Sequence, residues 1–495
     1  MKSEKFVIKA LALIIGTLAM TFSGQNWHIG IFAWIAPVCL LYFVMNTKKA
    51  GFAIFFVFML LAGYFSQTCQ NVLNIFVVGI INALGYAILT TLIYYVTKLL
   101  YAKGKGFYST LVFPSIIAVT EFLVSSQIGT FGIVAHTQYA FTLLIQFSSI
   151  AGVFGITFMV AWFGSVVNWI IENNFSKPSI YKSTLIYGTI FLSIIIYGIT
   201  KVYIFSDNEK TVKVATISGT TDLNAIVAKE QANLMELAKN PNLPIPERIF
   251  SNQEAIHAQI ANTIEAAKEG AKIIVWSEDA LILSQSQTDS LFVKAKDISK
   301  TYNAYLLLAF LEKDNSGRLK PFNNTSILIT PKGEIAWQYL KLHLHPYAEA
   351  PIINAGNAII PYCDTEYGRM GTVICYDLDF PNYIQQAGNN SIDIMLVPAY
   401  DWEKITPLHP KMACFEAIQN GFSLIRPNGA GLNMVTNNQG NILAKMNTFT
   451  SNSKILYADL PLKSVTTIYS KIGNILVYIL MLFLLIVVGL RIAKR

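Results

Sequence analysis

Charged residues are scarce in this chain, and the few it has are unevenly distributed. Only 13% of the 495 residues are Asp, Glu, Lys or Arg, 53% are hydrophobic, and the mean hydropathy is +0.46. This composition excludes a single soluble domain. Residues 1–205 and the stretch after about 470 are strongly apolar, whereas about 210–462 carry a normal share of charge. The pattern predicts a membrane protein with one water-exposed domain between its last two spans.

Cysteine is also rare, and so are patterns that would bind a metal. The five cysteines form neither a disulfide framework nor a CxxC pair: Cys39, Cys69, Cys363, Cys375 and Cys414. His343 and His345 form an HxH pair with His409 further along, which leaves a zinc site as an alternative. No carboxylate or cysteine stands at ligand spacing from them, so the sequence favours no metal and no cofactor.

Eight apolar runs approach the length of about 20 residues that a helix needs to cross a bilayer. They cover residues 7–23, 29–46, 51–66, 73–97, 108–125, 148–171, 183–204 and 472–491. The first run lacks a small-residue cleavage site and a second follows at once, so we interpret it as a retained span. The runs predict a transmembrane bundle of about seven helices in residues 1–206. A final helix with a basic tail is predicted in 470–495.

Basic residues predict the orientation of these spans. They lie at the N-terminus, on alternate loops and at the C-terminus: Lys2, Lys5, Lys9, Lys48, Lys49, Lys98, Lys103, Lys105, Lys177, Lys182, Arg491, Lys494 and Arg495. The positive-inside rule then places both termini in the cytoplasm and the domain 210–462 outside it, as in a bacterial inner membrane. The net charge of +8 is thereby explained by topology and does not indicate nucleic-acid binding. Glu121 is the one acidic residue near a span centre, so the pattern does not favour an ion transporter.

Strand and helix patterns alternate in the domain 210–462, with hairpins between them. Strands are predicted at 212–217, 272–276, 305–311, 323–329, 335–341, 370–374, 392–397 and 422–426, and helices at 251–268, 291–302, 381–387 and 409–420. This order predicts an α/β fold with two mixed sheets flanked by helices, a layered sandwich.

Three reactive side chains stand at the ends of predicted strands. Glu278 follows the strand 272–276, Lys341 ends the strand 335–341, and Cys375 follows the strand 370–374. A thiolate attacks acyl carbon, a carboxylate takes its proton, and an ammonium stabilises the oxyanion. A second carboxylate, Glu349, is placed to orient the lysine. Taken alone, the stretch around Cys375 favours a buried structural cysteine, because a free cysteine packs as a small hydrophobic residue.

Two motifs around these residues carry a family resemblance. Residues 339–349 read Tyr-Leu-Lys-Leu-His-Leu-His-Pro-Tyr-Ala-Glu, and residues 373–377 read Val-Ile-Cys-Tyr-Asp. With Glu278 they resemble the Glu-Lys-Cys set of the nitrilase superfamily, and most closely the apolipoprotein N-acyltransferases. The resemblance implies a nitrilase-like αββα sandwich inserted between the seventh and eighth helices of an all-α transmembrane bundle.

The resemblance also implies a reaction and a role for each residue. An acyl chain would pass from a membrane phospholipid, through a Cys375 thioester, to the α-amino group of the N-terminal diacylglyceryl-cysteine of an apolipoprotein. Glu278 would be the base, Lys341 the oxyanion stabiliser and Glu349 a support. Tyr376 and Asp377 match family positions beside the nucleophile.

The chain departs from the family pattern at four places. These are Ser218-Gly219-Thr220 for a Gln-Gly-Asn run, Asp377 for glutamate, residues 400–403 for a Trp-Phe-Gly stretch, and Glu416 with Gln419 for an Arg/Glu pair. Two alternatives therefore stay open. One is a membrane-tethered amidase or another nitrilase-type acyltransferase, and the other is a degraded paralogue that only binds lipoproteins or lipids.

Replacing the predicted nucleophile tests this interpretation. Cys375→Ala is expected to abolish acyl transfer and leave the protein folded and inserted in the membrane, because only the attacking sulfur is lost. Transfer would be assayed on membranes, beside the amount of inserted protein. An undiminished rate in the variant would rule out a Cys375 thioester.

Overall fold

The computed structural model describes residues 2–24, 27, 29–68, 76–101, 106–204, 210–220, 223–240, 243–346, 348–406, 408–463 and 465–493. Five residues on which predictions rest lie outside the described residues: Cys69, Lys103, Lys105, Lys494 and Arg495. The chain forms two compact units. One comprises Met1–Ser206 with Ile472–Arg495, and the other comprises Asp207–Lys471.

The first unit is helical. Its α-helices are Lys2–Ser23, Phe32–Met45, Gly51–Gly63, Phe76–Leu100, Val112–Ile128, Thr142–Ile145, Ser148–Glu172, Lys177–Ser183, Thr189–Ile199 and Ile475–Ile492. Six helical stretches among the described residues are long and apolar enough to cross a membrane: Glu4–Ser23, Val78–Leu100, Phe107–Ile128, Ser148–Glu172, Lys177–Tyr203 and Ile475–Ile492. The predicted runs 29–46 and 51–66 form shorter apolar helices, Phe32–Met45 and Gly51–Ser66. Polar residues 46–49 separate these two helices and limit their length.

Glu121, the acidic residue predicted near a span centre, has two hydrogen-bond donors. The Val134 amide donates to its Oε1 at 2.8 Å, and the Thr157 hydroxyl donates to its Oε2 at 2.6 Å. A buried polar group needs such partners where water is excluded. Glu121 therefore ties its helix to the turn Val134–Gln138 and to the helix Ser148–Glu172.

The second unit holds two sheets, and the predicted mixed α/β sandwich is confirmed. The strands are β1 Thr211–Ile217, β2 Ile273–Trp276, β3 Ile282–Leu283, β4 Tyr305–Lys313, β5 Phe322–Ile329, β6 Ile335–Leu340, β7 Tyr362–Thr365, β8 Gly368–Thr372, β9 Ile394–Leu396, β10 Ser423–Arg426, β11 Leu432–Thr436, β12 Ile442–Asn447 and β13 Ile455–Pro461. One sheet has the order β13-β1-β2-β4-β5-β6, with β3 beside β4, and the other has the order β12-β11-β10-β9-β8-β7. Strands β2 and β4 run parallel, as do β8, β9 and β10.

The alternation of side chains along β1 explains the layering. Val212 and Val214 pack in a core with Met370, Ile394 and other residues of the second sheet. Ala215 and Ile217 belong to a different core, which includes residues of the helices Gln253–Lys268 and Gln285–Tyr302. Because successive side chains of a strand point to opposite faces, one sheet packs on helices outside and on the other sheet inside.

Helices also cover the second sheet, which completes the αββα order. The helix His409–Asn420 packs against β10 and β11, and the helix Pro381–Asn389 packs against it. The helix Leu223–Lys239 contributes Leu237 to a smaller core with Ile282 and Phe322. Strand β2 of the first sheet is therefore covered by helices on one face and by the second sheet on the other, and all four residues of β2 are buried.

Two glycines that follow helices give a matched test of this packing. Gly421 and Gly270 have φ angles of +87° and +88°, but of the two only Gly421 is so placed that an added Cβ would clash with a backbone atom, the Val465 carbonyl oxygen. We expect Gly270→Ala to cost about 1 kcal/mol from its left-handed backbone, and Gly421→Ala to cost roughly 1–3 kcal/mol more from overpacking. Thermal unfolding of the full chain in detergent, followed by fluorescence, measures both. Equal losses would contradict this packing at Gly421.

Candidate active site

A buried lysine between two carboxylates forms the centre of the site. Lys341 directly follows β6, and its Nζ donates to Glu278 Oε1 and to Glu349 Oε1, each at 2.7 Å. The side chains of Lys341 and Glu278 are 3% and 2% exposed, and that of Glu349 is 13% exposed. The structure thus brings these three residues together, although 71 positions separate Glu278 from Glu349 in the sequence.

Backbone and amide groups complete the hydrogen bonds of both carboxylates. Asn324, on the neighbouring strand β5, donates from Nδ2 to Glu278 Oε1 at 2.8 Å. The Tyr400 amide donates to Glu278 Oε2 at 2.9 Å, and the His345 amide donates to Glu349 Oε2 at 2.7 Å. Every oxygen of the two carboxylates therefore accepts at least one hydrogen bond, which fixes their orientation.

Burial and charge act on these groups in opposite directions. Burial raises the pKa of Glu278, and the Lys341 ammonium opposes that rise only in part. Burial lowers the pKa of Lys341, but the carboxylates of Glu278 and Glu349 outweigh it and hold the pKa well above the usual range. Burial also raises the pKa of Asp279 well above its usual range. The lysine is therefore charged near pH 7, and burial favours the protonated form of Asp279.

Cys375 stands where β8 leads into a tight turn. Its amide donates to the Pro398 carbonyl at 2.8 Å, and its φ is +46°, in the left-handed region that favours glycine. The residue is 6% exposed. Burial, then the Glu278 carboxylate, raises the pKa of the thiol well above its usual value, while Lys341 and Arg426 act to lower it. The thiol is neutral at rest, so it needs a base before it can attack.

Asp377 and Tyr376 occupy different surroundings within this turn. Asp377 accepts hydrogen bonds from the Tyr339 hydroxyl at 2.6 Å, from the His343 amide at 2.7 Å and from the Ile374 amide at 3.1 Å. It therefore braces the turn that carries the thiol. Tyr376 packs edge-on against Phe380, with 5.1 Å between ring centroids.

A second charged cluster beside the thiol was not identified as a site from the sequence. Asp401, His409 and Arg426 are buried and contact one another, and His409 also contacts Asp379. The sequence did contain a signal for Arg426. This residue places a charge at the end of the predicted strand 422–426, as Glu278 and Lys341 do at the ends of their own strands. Asp401 lies within residues 400–403, where the chain departs from the family pattern.

Two groups of ligand-type side chains are compact enough to be tested as metal sites. Cys375, Asp401 and His409 form one, and Glu278, Asp279 and Glu349 form the other, with ligand atoms within 4.8 Å of one another. Protein cations already contact both groups: Arg426 bonds Asp401, and Lys341 bonds Glu278 and Glu349. These residues do not fit a metal, because the protein's own cations neutralise the carboxylates.

The histidine pair considered for zinc serves other contacts. His343 stacks on Phe380 with 3.7 Å between ring centroids, and its Nδ1 lies 3.0 Å from Asp377 Oδ1. Among the residues that the structure describes, neither His343 nor His345 belongs to a compact ligand group. At another departure from the family, Gln419 Nε2 donates to Glu416 Oε2 at 2.6 Å, so a hydrogen bond joins these positions.

Comparisons with known proteins match both units of the chain. Residues 228–469 match the carbon-nitrogen hydrolase family, and residues 16–166 match the N-terminal domain of apolipoprotein N-acyltransferase. The apolipoprotein N-acyltransferase of Borreliella burgdorferi is 24% identical over 98% of this chain and 95% of its own. Apolipoprotein N-acyltransferase 1 of Treponema denticola is 23% identical over 95% and 93%. A solved amidase from Nesterenkonia sp. is 17% identical, with a TM-score of 0.41, over 55% of this chain and 97% of that one.

The left-handed backbone of Cys375 is open to a direct test. A non-glycine residue pays roughly 1–2 kcal/mol in this conformation, so Cys375→Gly should unfold at a higher temperature than Cys375→Ala. Cys414, a buried cysteine inside the helix His409–Asn420, is the matched control. There the order should reverse, because glycine weakens a helix interior by about 1 kcal/mol relative to alanine. The same order at both positions would contradict the strained turn.

Proposed function

Because the chain belongs to the apolipoprotein N-acyltransferase family of carbon-nitrogen hydrolases, we propose that it N-acylates lipoproteins. The acyl chain comes from a membrane phospholipid, passes through a thioester on Cys375, and ends on the α-amino group of an N-terminal diacylglyceryl-cysteine. The buried Lys341 ammonium, held at 2.7 Å by both Glu278 and Glu349 beside the neutral thiol, carries this proposal.

Acylation of the enzyme is the first half of the reaction. Glu278 takes the proton of the Cys375 thiol, and the sulfur attacks the carbonyl carbon of a phospholipid ester. The Lys341 ammonium stabilises the oxyanion that forms. When the ester C–O bond breaks, Glu278 returns the proton to the departing oxygen, and a lysophospholipid leaves the thioester behind.

The raised pKa of Glu278 suits this exchange of a proton. A general base works best when its pKa lies near the operating pH, and burial raises the pKa of Glu278 from its usual value in that direction. Lys341 stays charged throughout, because two carboxylates hold its pKa well above the usual range against the effect of burial. The ammonium therefore stabilises the oxyanion through its positive charge and does not donate a proton to it.

Transfer to the lipoprotein is the second half. An α-amino group has a pKa near 8, so a neutral fraction is available to attack the thioester carbon near pH 7. Glu278 takes a proton from the attacking nitrogen, the C–S bond breaks, and the proton returns to the Cys375 sulfur. The products are an amide and the resting thiol, and no oxidant, reductant or metal takes part.

Membrane placement follows from the distribution of charge. Six helices long and apolar enough to span suit a multi-pass protein of the bacterial inner membrane. By the positive-inside rule, the basic loops and termini support a cytoplasmic position for both chain ends and the opposite side for the unit that carries Cys375. There it meets lipid-anchored acceptors and donor phospholipids of the outer leaflet.

A substitution of the base tests the reaction. Glu278→Gln keeps the size of the side chain but cannot accept the thiol proton, so N-acylation should fall by roughly 10²–10⁴-fold. The assay is mass spectrometry of a reporter lipoprotein N-terminus, together with lysophospholipid released in the presence of the reporter. Ammonia release from small amides, without acylated reporter, would contradict the proposal and favour an amidase.

Glu312→Gln is the matched control for this experiment. Glu312 lies on β4 of the same sheet and accepts a hydrogen bond from the Thr325 hydroxyl at 2.9 Å, so it is a partly buried carboxyl outside the site. We expect this variant to acylate the reporter at the wild-type rate. A comparable loss in both variants would show that any buried carboxyl is required, which contradicts a specific role for Glu278.

A further inference from the structure

A cluster of three charged side chains, Asp401, His409 and Arg426, lies against the proposed nucleophile. Asp401 accepts hydrogen bonds from Arg426 Nη1 and Nη2, each at 3.0 Å, and from Asn428 Nδ2 at 2.5 Å. His409 Nδ1 lies 2.6 Å from Asp401 Oδ1. The Cys375 sulfur, an Asp401 oxygen and a His409 nitrogen are within 4.8 Å of one another. The cluster is therefore placed to act on the thiol.

His409 is the member of this cluster that joins two separate loops. Its Nε2 lies 3.0 Å from Asp379 Oδ1, in the turn Cys375–Asp379 that carries the thiol. Its Nδ1 contacts Asp401, which directly follows Tyr400, and the Tyr400 amide donates to Glu278 Oε2 at 2.9 Å. One imidazole ring thus connects the turn of the nucleophile to the loop that orients the base.

Three charged groups contact the ring. Its Nε2 lies 3.0 Å from Asp379 Oδ1, and its Nδ1 lies 2.6 Å from Asp401 Oδ1 and 2.9 Å from Arg426 Nη2. The two carboxylates favour a proton on each ring nitrogen and the guanidinium opposes it; because the carboxylates outweigh it, the imidazolium is the favoured form. Its charge and that of Arg426 balance the charges of Asp379 and Asp401, as a buried cluster requires.

The charges around the ring explain why the proton stays. Burial lowers the pKa of His409, but the carboxylates of Asp379 and Asp401 outweigh it, and the pKa rises from 6.5 to about 9. Arg426 opposes that rise. Because the pKa of His409 is higher in the folded protein than its ordinary value, both contacts of the charged ring with Asp379 and Asp401 are present below pH 6.5. They are lost as the pH rises through about 9.

We propose that His409 is a positioning residue for the acylation of Cys375: its imidazolium clamps the turn Cys375–Asp379 to the loop at Tyr400 and Asp401, and so holds the thiol toward Glu278. The inference rests on the proposed function. His409 touches neither the acyl group nor the attacking amine. It acts through Asp379 on the nucleophile and through Asp401 on the base.

Two other buried groups titrate: the Cys375 thiol, which lies within 4.8 Å of the ring, and a carboxyl on the helix that carries His409. The thiol of Cys375 has a pKa well above its ordinary value because of burial. Glu416, on the same helix as His409, is buried, which raises the pKa of its carboxyl to about 8. Glu416 is therefore the group that a variant must separate from His409.

The test is the pH dependence of the acylation half-reaction. The full chain in detergent is mixed with a phospholipid whose transferable acyl chain is labelled, without an amine acceptor, and label on Cys375 is followed at pH values on either side of 9. The wild-type rate should fall above about pH 9. His409→Gln should be slower by roughly 10²-fold, as for a misplaced nucleophile, and should lack this alkaline fall.

Two further variants keep the test decisive if His409→Gln folds poorly. Asp379→Asn retains the shape of the contact but removes one of the carboxylates that raise the His409 pKa, so the alkaline fall should move to lower pH. Glu416→Gln should keep the wild-type rate and the wild-type alkaline fall. An alkaline fall that is unchanged in Asp379→Asn, or lost in Glu416→Gln, would overturn the role of His409.

Failure of this inference differs visibly from failure of the proposed function. If the wild-type chain takes no label from phospholipid at any pH, the proposed function is wrong. If the wild-type chain is labelled and His409→Gln matches its rate and its alkaline fall, only the role of His409 is wrong.

Discussion

The site depends on one buried ammonium and the two carboxylates that hold it. A lysine that is 3% exposed keeps its charge only because Glu278 and Glu349 each lie 2.7 Å from its nitrogen. Removing one partner of a buried ion pair typically costs about 3–5 kcal/mol, since it leaves a charge uncompensated. The same arrangement that makes Lys341 stable in the interior also supplies the permanent positive charge that the proposed mechanism uses to stabilise an oxyanion.

Each sheet positions part of the candidate site. Glu278 and Lys341 follow β2 and β6 of the first sheet, while Cys375 and Arg426 lie at the ends of β8 and β10 in the second. The face-to-face core between the sheets therefore decides whether thiol and base meet. His409 supplements that core with a polar link, because its two nitrogens contact Asp379 and Asp401 on separate loops.

Much of the fold and of the candidate site could be predicted where the evidence lies in a short stretch of sequence. Apolar runs followed by Glu278, Lys341 and Cys375 predicted strand ends. The structure brings Glu278 and Lys341 into direct contact, and the charges of both act on the pKa of the Cys375 thiol. The left-handed backbone of Cys375 was not predictable, since cysteine carries no turn preference. The cluster of Asp401, His409 and Arg426 was missed because its members are isolated in sequence and meet only through tertiary packing. The catalytic roles themselves stay predictions.

The most direct test of the account is the mass of the protein after incubation with phospholipid alone. A thioester on Cys375 predicts a single acyl adduct on the peptide that contains residues 373–377, which hydroxylamine removes and a diacylglyceryl-cysteine peptide discharges as an amide. A lipoprotein peptide that becomes acylated while Cys375 carries no adduct at any time, or an adduct that the peptide cannot discharge, would contradict it.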